Sequence, residues 1–231
     1  MLARLYQKRF GIDERKLLEF PVLRRAARGT PRLLFTHAGD TMRTPEQVRL
    51  NKAGYRHAKV VLIARHPGDI AVSRYYHLKF RSRDRARKRL ANQQLDTFVW
   101  AEKGGIPSIV RFLNDFAELQ REHGNVTIIR YEDFLAQPRS TLRQLADAVG
   151  LEVTDEDIAD AVHFGDIRSL KKREQEGYFT SNRLRPSKAG DQRSSKVREG
   201  GSGGFRRNLG AREARHIDEF VKEELDPVFG Y

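Results

Sequence analysis

Apolar positions along this chain repeat with two different periods. Leu2, Leu5, Tyr6 and Phe10 recur at helical spacing and Gly11 stops the run, so the sequence opens in an amphipathic helix with no strand before it. Three short runs, "RLLFTH" (32–37), "KVVLIAR" (59–65) and "VTIIRY" (126–131), have the continuous apolar character of buried parallel strands. Helical spacing predicts helices over 67–80, 92–103, 107–122, 138–149, 154–163 and 211–225. Strands alternating with helices predict an α/β fold, a parallel sheet with helices on both faces. A length of 231 residues suits one domain, 1–231, with a sizeable core. From Gly177 to Gly204 the periodicity gives way to Gly, Ser, Arg and Lys, which reads as a long mobile segment, and loops of that length inside a domain are usually functional or disordered. The sequence shows no internal repeats.

Composition narrows the class without choosing a function. Hydrophobic residues at 39% and charged residues at 32% suit a soluble globular protein rather than a disordered one. Lys and Arg number 44 against 31 acids, a formal charge of +13 that suits a nucleic acid, an anionic membrane surface or a polyanionic small molecule. With no cysteine, disulfides and thiolate metal sites are excluded, which fits a cytoplasmic protein. No stretch approaches the roughly 18 apolar residues of a membrane span, and "MLARLYQKRFGIDERKLLEF" lacks the apolar core and cleavage site of a signal peptide. The seven histidines show no H-E-x-x-H or comparable ligand spacing, so no metal is expected.

The richest chemistry lies in "KVVLIARHPGDIAVSRYYH", residues 59–77. Arg65 ends a predicted strand, and ligands of open α/β sheets bind beyond such carboxyl ends. Pro67 suits the first turn of the next helix and Asp69 complements its dipole. Ser73 follows two turns in, where its hydroxyl can face the same pocket as Arg65. A planar fork of guanidinium donors beside a hydroxyl is good phosphate-binding chemistry. On this stretch alone, an arginine that merely caps a sheet edge and a serine that packs fit equally well.

"RHPGDIAVSRYYH" resembles the 3′-phosphate-binding motif of sulfotransferases that use 3′-phosphoadenosine 5′-phosphosulfate (PAPS), where a strand-end arginine and a serine eight residues later grip the 3′-phosphate, as Arg65 and Ser73 are spaced. Two further stretches agree in order. "IIRYEDFLAQPRSTLRQLADAVGL" resembles the family's strand–Tyr–Glu–Asp segment and its helix, and "VREGGSGGFRRNL" resembles the Arg-Lys-Gly-x-x-Gly-Asp-Trp-Lys loop that closes over the nucleotide. The resemblance covers essentially the whole chain. It implies a P-loop-type α/β sheet and transfer of a sulfuryl group from PAPS to a small-molecule, carbohydrate or lipid hydroxyl. His37, which follows a threonine at a predicted strand end, would be the catalytic base, a role that suits a group titrating near working pH. Taken alone, His37 fits a structural histidine better; its register with the other motifs favours the base. Tyr131, Arg198 and Gly200 would join Arg65 and Ser73 in holding the nucleotide, and 177–204 would be the closing segment.

The departures are specific. Phe35 stands where many relatives carry a lysine, Glu199 where they carry a lysine, and Phe205 where they carry a tryptophan, while Arg206 keeps the cation. The adenine-contacting Ser-x-Phe region becomes Asp166-Ile167, and of the Lys-x-x-x-Thr-Val-x-x-x-Glu dimer stretch only the first cation remains. The family's first strand and its Pro-Lys-Ser-Gly-Thr-Thr-Trp-like phosphosulfate loop have no counterpart among residues 1–231. "MLARLYQKRFGID" looks like the helix after that loop, so Met1 is expected to be an internal methionine of a longer ancestral sequence. Two rival readings follow. One is a truncated, catalytically inactive relative. The other is a nucleic-acid-binding protein built on the basic run "KFRSRDRARKRLANQQ" (79–94), which lacks any recognised nucleic-acid module or interleaved aromatics, so no nucleic-acid partner is expected.

Overall fold

A computed structural model describes residues 1–19, 21–22, 25, 33–37, 42–82, 84–184, 197 and 200–231. Along the chain the main elements are α1 (Leu2–Phe10), β1 (Val60–Ala64), α2 (Pro67–Phe80), α3 (Arg85–Arg89), α4 (Leu95–Val99), α5 (Ile106–His123), β2 (Val126–Arg130), α6 (Tyr131–Ala136), α7 (Pro138–Ala148), α8 (Asp155–Phe164), α9 (Ile167–Gln175), α10 (Gly204–Asn208) and α11 (Ala211–Glu224). The chain forms two compact units, 1–35 with 133–200, and 36–132 with 201–231. Among the described residues no helix is long and apolar enough to cross a membrane.

In the first unit, α1 ends at Gly11, whose φ of 60° closes the helix in the left-handed region. Its buried face, Leu5 and Tyr6, packs toward α8. Arg4 donates to Asp160 at 2.7 Å and Lys8 pairs with Asp157 at 3.0 Å. Asp157 also closes a capping box with Thr154 at the start of α8. The Lys8 and Thr154 hydrogen bonds hold the Asp157 carboxyl down at about 2. Leu17, Phe164 and Phe179 form a separate small core beneath these charges.

The second unit is built on a parallel pair, β1 with β2, in register from Val60 opposite Val126 to Ala64 opposite Arg130. The crossover between them runs through α2 to α5, as parallel strands require. Its core gathers Ala64, Val72, Val99, Ile109, Leu113, Phe205, Ile217 and Phe229. The helix α2 starts as the sequence predicts: His66 caps it by accepting from the Gly68 N–H at 3.2 Å, and Pro67 takes the first turn. Gly68 is there for room, since a Cβ would lie 2.8 Å from the Phe205 ring.

Three sequence expectations are corrected. Residues 33–37 of the run 32–37 form no strand; among the described residues the sheet holds β1 and β2 alone. A strand exists only where a neighbour completes its ladder, and without one Leu34 stays 81% exposed. The predicted helix 92–103 shrinks to α4, because Trp100 leaves helical geometry and Gly104 turns through a φ of 78°. The strand 126–131 ends one residue early, and Tyr131 opens α6 instead. Most of the 177–204 segment lies outside the described residues, though Gly204 belongs to α10.

Candidate functional site

Arg65 leaves the carboxyl end of β1 and is held on three sides. Its Nη2 donates to Asp69 at 3.1 Å and to the Gly201 carbonyl at 2.7 Å, with Nε 3.4 Å from the same Asp69 oxygen. The guanidinium lies 4.6 Å above the Tyr131 ring, a cation–π contact. Its Nη1 makes no hydrogen bond among the described residues, and the side chain is 29% exposed.

Asp69 is the hub, and sequence reading assigned it only to the helix dipole. Its side chain is 1% exposed. Besides Arg65 it accepts from the Gly203 N–H at 2.9 Å and the Phe205 N–H at 3.0 Å. A buried carboxylate is tolerable only when hydrogen-bonded and paired, and here the glycine-rich run supplies the donors. The sequence signal was an acid in the first turn of a helix together with the amide-rich "GSGGF"; no periodicity links the two. Phe205, fully buried, anchors the same run in the core, a burial contributing about 1.5–3 kcal/mol.

Ser73 stands one turn beyond Asp69 on the same face of α2 and is exposed. The structure therefore brings Arg65, Tyr131 and Ser73 to one neighbourhood around Asp69. His37 is exposed, and no hydrogen bond or ion pair among the described residues joins it to Arg65 or Ser73. Arg198 and Glu199 lie outside the described residues. In the first unit Gly200 takes a φ of 64°, and a Cβ there would sit 1.5 Å from Ile167 Cδ1. Ile167 thus packs against glycine backbone, while Asp166 caps α9 by accepting from the Arg168 and Ser169 N–H groups. Arg206, which keeps the family's cation, is held by both Asp218 oxygens at 2.8 Å.

His66 is a second residue that sequence reading passed over. Its ring stacks on Phe205 at 4.6 Å, nearly parallel, and its N–H backbone donates to Glu132 at 3.1 Å. The side chain is 12% exposed, with Nε2 3.5 Å from Asp218. Burial holds the imidazole below the ordinary histidine value, against the opposing pull of Asp218. It borders a cavity of about 500 Å³ together with Glu132, Arg206, Asp218, Lys222 and Tyr231.

A guanidinium with donors to spare beside a hydroxyl has the chemistry to take an oxyanion. A family model for the sulfotransferase domain matches residues 19–229. A 3-beta-hydroxysteroid sulfotransferase of Cavia porcellus is 22% identical over 170 residues, 73% of this chain and 56% of that protein. The chain thus spans little more than half the length of that relative. A mouse sulfotransferase complexed with PAP superposes with a TM-score of 0.54 at 19% identity, covering 72% of this chain and 58% of that one. Retinol dehydratase, solved with androsterone and the inactive cofactor PAP, gives 0.52 at 18% identity, covering 73% of this chain and 48% of that one. At such identities the superpositions show a shared α/β fold. With the family model spanning nearly its whole length, this chain belongs to the sulfotransferase domain family.

Proposed function

We propose that this protein transfers a sulfuryl group from PAPS to an acceptor hydroxyl. The observation that carries the reading is Arg65, fixed at the carboxyl end of β1 by Asp69 and Tyr131, 29% exposed, with no hydrogen bond at Nη1 among the described residues, while Ser73 stands exposed one turn beyond Asp69 on α2. A guanidinium edge and a hydroxyl match the oxygens of a 3′-phosphate. Fixing the guanidinium beforehand reduces the ordering cost of binding. Tyr131, already stacked on Arg65, would line the nucleotide pocket, and Gly200 and Arg198 would lie in the segment that closes over it.

PAPS supplies an activated sulfate whose leaving group is 3′-phosphoadenosine 5′-phosphate (PAP). His37 takes the acceptor hydroxyl's proton as the oxygen attacks sulfur, and no metal is needed for that proton transfer. The test is transfer of labelled sulfate from PAPS to a panel of phenol, alcohol and carbohydrate acceptors. His37→Ala should lower kcat by about a hundredfold or more while leaving donor affinity in place. Full activity in that variant would remove His37 from the mechanism, and an absence of transfer by the parent protein would mark an inactive relative.

A further inference from the structure

Beyond α2 the chain enters a run in which seven of the eleven residues 79–89 are Lys or Arg and Asp84 is the one acid. Lys79 turns inward, donating to the Tyr75 hydroxyl and lying over its ring. The cations of α3 differ. Arg85, Lys88 and Arg89 are exposed, and none joins an ion pair among the described residues. Their i, i+3, i+4 spacing puts them on one helix face.

Some surface cations of the same unit are matched by acids, as Lys52 is by Glu118 and Glu122, Arg121 by Asp226 and Arg206 by Asp218; what sets α3 apart is the density of cations in a short run. Arg85 lies a turn from both Lys88 and Arg89, and like charges so placed cost a few tenths of a kcal/mol per pair, with Asp84 the one acid in the run. An external polyanion would offset that cost. The exposed large hydrophobics among the described residues are Leu34, Phe35, Ile63, Leu135 and Val228, none in this run, so a membrane would find no apolar side to receive. Single-stranded nucleic acid needs stacking aromatics, and the one aromatic of the run, Phe80, stacks inward on Tyr76 at 5.9 Å. Five residues of helix, about 7.5 Å long, also make a poor groove reader. A polysaccharide bearing carboxylates or sulfates offers anions and acceptor hydroxyls on one chain.

We propose that the Arg85–Lys88–Arg89 face of α3 docks a polyanionic carbohydrate, and that the acceptor is of this class; the second half rests on the sulfotransferase reading above. The full chain is compared with the charge-reversed variant Arg85→Glu/Lys88→Glu/Arg89→Glu and the neutral variant Arg85→Gln/Lys88→Gln/Arg89→Gln. Probes are labelled heparin, hyaluronan, duplex DNA and phosphatidylserine vesicles, each titrated with salt. Heparin affinity should fall at least tenfold in the reversed variant and less in the neutral one. The salt slope should drop by about two to three ion contacts, as expected when that many cations leave a polyanion interface. KM for a polyanionic carbohydrate acceptor should rise in step with kcat held, while transfer to an uncharged phenol stays unchanged. Unaltered heparin binding in both variants overturns the docking face, and tighter, equally sensitive binding of DNA or vesicles overturns the carbohydrate assignment. Lost heparin binding in a protein whose parent form transfers sulfate to no acceptor refutes the enzyme reading and keeps the docking face. Normal transfer to phenol with unaltered heparin binding does the reverse.

Discussion

Arg65 and His37 both close apolar runs that the sequence predicts as strands, and the structure treats them differently. Arg65 ends a strand whose ladder with β2 is complete, and Asp69, Gly201 and Tyr131 fix its guanidinium. His37 follows residues that form no strand, and it is exposed. An apolar run aims the side chain at its end only when a neighbouring strand fixes the backbone. The geometry of the Arg65 guanidinium is therefore built into the protein, whereas no strand ladder among the described residues fixes the backbone that leads to His37.

The contrast breaks most visibly in stability. Asp69→Ala removes the acceptor of one buried amide, Phe205, at about 1–3 kcal/mol, and of one partly buried amide, Gly203, at somewhat less, and frees Arg65 as well. His37→Ala, an exposed change, should stay within about 0.5 kcal/mol. Urea unfolding of the two variants measures this, and equal midpoints would mean that the Asp69 network does not hold the 201–205 run. Hydrogen exchange at the Gly203 and Phe205 amides should speed up in an Asp69→Asn variant that still folds.

A steric control comes next in size. Gly200→Ala meets Ile167 and adopts a left-handed φ, at a cost of about 1–3 kcal/mol. Adding Ile167→Ala should relieve the clash but not the backbone strain. A double variant as stable as the parent would contradict the left-handed φ.

The smallest effect is pH dependence. His66 is held below its ordinary value, so its neutral form belongs to the folded protein. As pH falls below about 6.5 the unfolded chain takes the proton first, and folded stability declines toward the folded value. The slope is at most about 1.4 kcal/mol per pH unit. Asp218, Arg206, Asp69 and Glu132 all face this ring, and Lys222 lines its cavity. His66→Gln, compared with the parent from pH 8 to 5, should flatten the decline; parallel curves would show that the ring titrates as if exposed.

Local pattern made much of this legible. Pro67, Asp69 and the helical spacing gave α2 with its bounds, and the strand-end arginine was visible as chemistry. Periodicity also gave α1, α5, α7, α8 and α11 to within two residues at either end. What stayed hidden was long-range. Nothing in the sequence reports that Asp69 accepts from amides more than 130 positions away, that Phe205 stacks on His66, or that Asp218 holds Arg206. The run 32–37 misled because continuous apolar character marks a strand only if a partner edge is present. The short helices α3, α6, α9 and α10 escaped because a turn or two carries too little periodicity to read.

The central claim is that Arg65 is a preorganised 3′-phosphate contact. Calorimetry of the parent protein and Arg65→Ala with PAP, and with adenosine 5′-monophosphate, which lacks the 3′-phosphate, tests it directly. Losing a hydrogen-bonded charge contact costs about 1.5–3 kcal/mol, so PAP should bind roughly ten to a hundredfold more weakly to the variant while the 5′-monophosphate is nearly unaffected. Equal losses for both ligands, or none for PAP, would contradict the assignment.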